Sequence, residues 1–147
     1  MGHKQPVSVL VVIHSPDHQI LLLERAARPG FWQSVTGSRE GDEALIDTAV
    51  REVAEETGIA ITAAQLVDWQ QTNTYEIFPE WRHRYAPGVT ENTEHVFSLA
   101  VPRDTPIRVA PGAHLGHCWL PLDEAAAKVF SWSNRDAIRA LPQRFKA

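Results

Sequence analysis

Glu52, Glu55 and Glu56 stand at i, i+3 and i+4 in the run Arg51-Glu52-Val53-Ala54-Glu55-Glu56. On a helix this spacing puts three carboxylates on one face. Like charges four residues apart repel, at about 0.2–0.5 kcal/mol per pair. Glu55 and Glu56 also fall in the last turn before Gly58, where the helix dipole disfavours anions. A sequence that breaks two local rules at one place is often serving function rather than stability. Clustered hard oxygen donors suit Mg²⁺ or Mn²⁺, which take a few carboxylates together with phosphate oxygens of a substrate. A fourth acid, Glu43, lies near the helix start. Arg51, with Asp47 at i−4 and Glu55 at i+4, can hold the array in place.

Other residue types fit the same chemistry. The segment Arg82-His83-Arg84-Tyr85 could clamp a triphosphate, because the guanidinium fork matches phosphate; as an exposed polar loop it would look the same. Trp32, Trp69 and Trp132 could belong to the core or stack on a flat heterocycle. The seven histidines show no zinc-ligand spacing, and no Ser-His-Asp order, P-loop or dinucleotide fingerprint is present.

The elements that must position these groups are legible in outline. The β-branched run Val7 to His14 reads as a buried strand, and Ile20 to Leu23 as a second after the turn residues Ser15 to His18. Residues 43 to 57 carry helical periodicity. Leu45, Ile46, Ala49, Val50 and Val53 form an apolar stripe opposite the acids, and Gly58 stands where a left-handed C-terminal residue is wanted. Gly37 and Gly41 let the preceding loop fold tightly. Leu66 to Thr74, Thr93 to Val101 and Cys118 to Leu120 read as strands, with Pro79 to Asn92 a long irregular loop between the first two. Ser133, with Asp136 three residues on, resembles a capping box opening a last helix. The expected fold class is α+β (mixed α/β), one domain over residues 1–147, with helices packed on a mixed sheet.

Composition narrows the function further. Hydrophobic residues make up 44% and charged residues 22% of the 147, the balance of an ordinary globular chain. A net charge of −4 supplies no basic field to steer nucleic acid, so phosphate has to be handled locally. The longest apolar run, Val9 to Ile13, is too short to span a membrane. The single Cys118 excludes an intrachain disulfide. A cytoplasmic location, a small-molecule triphosphate as partner, and neither nucleic acid nor membrane are the expectations.

From Gly37 to Ile59 the chain matches, at every specified position, the pattern G-x5-E-x7-R-E-U-x-E-E-x-G-U, with U an aliphatic residue. This resembles the signature box of the Nudix hydrolases. The resemblance implies a mixed β-sheet sandwiched between α-helices and hydrolysis of a diphosphate linkage with a divalent cation. It implies Glu52, Glu55 and Glu56 as metal ligands, and Glu52 or Glu43 as the group positioning the attacking water. Outside the box, Phe31 to Ser38, Arg82 to Thr90 and Ser131 to Arg135 resemble the Nudix subfamily that acts on dihydroneopterin triphosphate in bacterial folate synthesis. That likeness implies substrate contacts from Lys4, Arg25, Thr36, Tyr75, Glu76, Ile77, Phe78 and Ser131, beside the Arg82 and Arg84 of the clamp. It also implies a further acidic ligand in the loop before the final strand, where this chain has Ala113. His114 or Glu94 could take its place. The alternatives are a general (deoxy)nucleoside triphosphate pyrophosphatase and a Nudix-like module that binds nucleotides without cleaving them.

Overall fold

Strand β1 (Val7–His14) is almost wholly apolar because both its faces are covered. Val9, Val11 and Ile13 point to one side of the sheet, Leu10 and Val12 to the other, as the two-residue period of a strand requires. The computed structural model describes residues 2–144. β1 lies at the middle of a seven-stranded mixed sheet. It runs parallel to β6 (Glu91–Ala100) and antiparallel to β2 (Gln19–Arg25) and β4 (Val35–Ser38). The order is β3-β2-β1-β6-β5, where β3 is Trp32–Gln33 and β5 is Leu66–Glu76; β7 (His114–Pro121) pairs with β2.

Helix α1 (Leu45–Thr57) covers the first face. Its Ala49 and Val53 are fully buried against Val9, Val11 and Phe97, and Leu45, Ile46 and Val50 pack at the margin, so the predicted stripe is the docking face. Gly58 ends the helix at φ 77°, donating its N–H to the Ala54 carbonyl at 3.0 Å. α2 (Leu122–Lys128) and α3 (Trp132–Arg144) cover the opposite face through Ala125, Ala126, Ile138 and Leu141. The result is the expected mixed sheet between helices. Among the described residues no helix is long and apolar enough to cross a membrane.

Three local expectations change. The Pro79–Asn92 loop holds a 3₁₀ turn over Pro79–Arg84 and gives way to β6 at Glu91. α2 is an additional short helix that follows the strand end, with Ala125 and Ala126 as its apolar contacts. The last helix is capped by Ser131, whose Oγ accepts the Asn134 N–H at 3.2 Å, and Ser133 lies inside the first turn.

Candidate active site

α1 carries its acids in two settings. Glu43 sits just before the helix and accepts hydrogen bonds from the Glu40 N–H (2.9 Å), Thr48 Oγ1 (2.9 Å) and Arg51 Nη2 (2.7 Å). Arg51 bonding is the main force that holds the Glu43 carboxyl down to about 2. Arg51 reaches further, to the Ser38 carbonyl (3.0 Å), Glu52 (3.2 Å), Glu55 (3.3 Å) and Glu40 (3.6 Å), so it binds the helix to β4 and, with Glu43, to four acids, though not to Asp47. Glu55 stays exposed and turns to this arginine. Glu52 and Glu56 instead turn inward and are buried. Gly37 makes room for them: a β-carbon there would overlap the Glu52 carboxylate.

The inward pair is strained electrostatically. Burial raises Glu52, and burial followed by the charge of Glu52 raises Glu56 well above the usual carboxylate range. Glu56 Oε1 is buried and has no hydrogen-bond partner. His114 stands beside it, Nε2 3.8 Å from Glu56 Oε1, with burial pushing its own pKa down so that the neutral imidazole is favoured. Among the described residues no three His, Cys, Asp or Glu side chains already form a metal nest.

Glu52 and Glu56 open into a cleft of about 870 Å³ that draws on β1, β4, α1, β5, β6, the 3₁₀ turn and the start of α3. Lys4, Arg25, Thr36, Tyr75, Glu76, Ile77, Phe78, Arg84 and Ser131 all line it, as do Ala113 and His114. Arg25 is aimed by Gln33, which accepts from its Nη1 at 3.2 Å, and by the Trp81 ring 4.6 Å beneath its guanidinium. Thr36 Oγ1 is committed to the Val9 carbonyl at 2.9 Å. Arg82, Glu43, Arg51 and Glu55 are not in the lining. Arg82 donates to the Ile77 carbonyl (3.0 Å) and pairs with Glu76 (3.4 Å), which braces the turn, so of the two arginines only Arg84 reaches the cleft lining.

Of Trp32, Trp69 and Trp132, the last lines the cleft and is 46% exposed, whereas Trp69 is buried with its Nε1 donating to Ser98, and Trp32 packs on the second core. Trp81, Phe130, Ser8, Asn92 and Asn134 also line the cleft without having been singled out. The signal for some of them was present: Ser8 interrupts an apolar strand, and Asn92 and Glu94 share the strand parity of the core residue Val96.

The NUDIX domain model matches residues 4–141. The chain belongs to the Nudix family. Within it, the chain is 50% identical over 139 residues to the dihydroneopterin triphosphate diphosphatase of Escherichia coli K12, covering 92% of this chain and 91% of that protein. It is 38% identical over 143 residues to the enzyme of the same name from Haemophilus influenzae, covering 95% and 89%. The solved structure of the E. coli dihydroneopterin triphosphate pyrophosphohydrolase superposes with a TM-score of 0.90 at 48% identity, covering 98% of this chain and 99% of that one. A Nudix hydrolase generally needs a divalent metal and acts on a small phosphorylated molecule.

Proposed function

We propose that this Nudix hydrolase converts dihydroneopterin triphosphate and water to dihydroneopterin monophosphate and pyrophosphate, with Mg²⁺ or Mn²⁺ as cofactor. The observation that carries the reading is the buried, like-charged Glu52–Glu56 pair in a cleft that also presents Lys4, Arg25 and Arg84. The relatives named above supply the substrate.

The residues present fit a divalent cation. Two acids buried against each other, one with an unpartnered oxygen, are held at a cost that a shared cation would remove. Mg²⁺ is commonly held by one or two carboxylates and completes its shell with water and substrate phosphate oxygens. Glu52 and Glu56 would hold it, and Glu55 could join only by leaving Arg51. A bound cation neutralises phosphate oxygens and acidifies its water.

The chain's own residues do the rest. Arg25, Lys4 and Arg84 bind the triphosphate. Arg51, through Glu52 and the Ser38 carbonyl, fixes α1 against β4 and so positions the ligands. Glu52 is the acid placed to orient the attacking water. Glu43 is fully occupied by Arg51 and Thr48 and acts at one remove. Trp132 offers an open aromatic face to the heterocycle.

Product analysis with Mg²⁺ tests the assignment, using the pterin triphosphate beside a panel of (deoxy)nucleoside triphosphates. Pyrophosphate release strongest from the pterin is the expected result. Stronger turnover of a nucleotide would move the chain to the general pyrophosphatase reading, and no turnover of any substrate would leave a binding module.

A further inference from the structure

The cleft has a third buried acid, one that the phosphate chemistry does not use. Glu94 is 3% exposed and lines the cleft, and its Oε1 has no hydrogen-bond partner. Two residues earlier on β6, Asn92 is 2% exposed, and its Oδ1 is likewise unpartnered. The Asn92 amide is oriented by its own donors: Nδ2 bonds Ser8 Oγ at 2.7 Å and Tyr75 Oη at 3.0 Å. The i, i+2 spacing puts both residues on the face of β6 that carries Val96 toward α3. Glu52 and Glu56 rise from α1, on the other side of the sheet. Glu94 and the metal-ligand candidates therefore approach the cleft from opposite walls.

As structure alone, this arrangement is unfavourable. Burial raises the Glu94 carboxyl to about 7, and the groups that favour its charge are Ser133 and Asn73 rather than a guanidinium or ammonium. Buried acceptors without donors cost stability unless a ligand supplies the donors.

The class of donor can be deduced. In its ionised form the Glu94 carboxylate, with the Asn92 amide oxygen beside it, repels phosphate and can only accept hydrogen bonds. Sugar and side-chain hydroxyls both donate and accept; two adjacent groups that act as donors alone occur in a triphosphate ester only on its heterocycle, where a ring N–H stands beside an exocyclic amine. Guanine and the 2-amino-4-oxo pterin ring share that edge; adenine replaces the ring N–H with an acceptor. Resting on the pterin triphosphate reading, we propose that Glu94, with Asn92 beside it, is the specificity-determining contact that reads the amino–oxo edge of the heterocycle. Trp132, one residue before Ser133, is placed to cover the ring face.

The test compares wild type, Glu94→Gln and Glu94→Asp on dihydroneopterin triphosphate, dGTP and dATP with Mg²⁺. dGTP and dATP share sugar and phosphates, so a difference between them reports the base edge alone. Glu94→Gln should lower kcat/KM for the pterin and for dGTP by about 10- to 100-fold, through KM. dATP should lose less than about threefold, so that the dGTP:dATP ratio collapses. Glu94→Asp keeps the charge but withdraws it, should show a smaller loss of the same selectivity, and carries the test should the Gln variant not fold. An unchanged dGTP:dATP ratio overturns the proposal. So does a fall in kcat that is equal for all three substrates, since Glu94 would then serve the reaction or the fold. Wild-type turnover of dGTP without the pterin would refute the substrate assignment yet leave the Glu94 comparison readable, whereas no turnover of any triphosphate refutes both.

Discussion

On the outer side of α1, Glu43 and Glu55 share Arg51, and the Glu43 oxygens are also met by a hydroxyl and a backbone N–H. One turn away on the inner side, Glu52 and Glu56 face each other in the cleft, and Glu56 keeps an oxygen with no hydrogen-bond partner. The same helix thus carries one set of acids in electrostatic balance and another deliberately out of it. The balanced set contributes to stability in the free protein, while the unbalanced set lowers it and waits for a ligand. Arg51 touches both sides, so the balanced set holds the unbalanced one in position.

The sharpest way to break the comparison is Glu56→Gln. Turnover should fall by at least about 10³-fold, because a direct hold on the cation is lost. In metal-free buffer near neutral pH the variant should melt above wild type. Burial raises the Glu56 pKa, so ionising it disfavours the folded state, and an amide avoids that penalty. Added Mg²⁺ should raise the melting temperature of wild type and leave that of the variant where it was. A variant with near-normal turnover would remove Glu56 from the metal site.

Arg51→Ala should damage both sets. We expect a drop of about 1–3 kcal/mol in stability from stranded carboxylates. A loss of about 10- to 100-fold in activity should follow from misplaced ligands. Denaturant unfolding and steady-state kinetics on one preparation would read both. Lost stability with full activity would separate the two sets entirely.

Glu43→Gln gives the smallest effect and is visible mainly in acid. The folded-state pKa of Glu43 is about 2, against an ordinary value of 4.5. Its contribution is therefore present above about 4.5 and is lost as pH falls toward 2. Melting curves across that range should be less steep in pH for the variant than for wild type. Parallel curves would mean that the Glu43–Arg51 contact adds nothing to stability.

The legibility of the sequence followed the range of the interactions. α1 could be read nearly to its ends, since an apolar stripe, a C-terminal glycine and i, i+4 acids are all local signals. The division between Glu55 and its neighbours could not, because it depends on where β4 lies and on Gly37 yielding space to Glu52. The cation-bearing wall was reached through Lys4, Arg25 and Arg84. On the opposite wall Glu94, Ser131 and Trp132 are named from the sequence, but the contacts that build it are not. Asn92 and Ser8 meet only when β1 and β6 pair in parallel, and no short-range pattern announces a non-consecutive pairing. Trp81 and Phe130 come together from distant segments for the same reason.

Ser34 and Asn134 exchange two hydrogen bonds, from the Ser34 N–H to Oδ1 at 2.8 Å and from Nδ2 to Ser34 Oγ at 2.9 Å. They are 100 residues apart in the chain. This clasp ties the start of α3 to the strand that leads into the glycine beside Glu52. During synthesis, the growing polypeptide carries the acids of α1 long before it carries Asn134. A partial chain can therefore offer carboxylates to a cation without a finished cavity for the substrate. Completion of the cleft should therefore wait for the segment that holds Asn134.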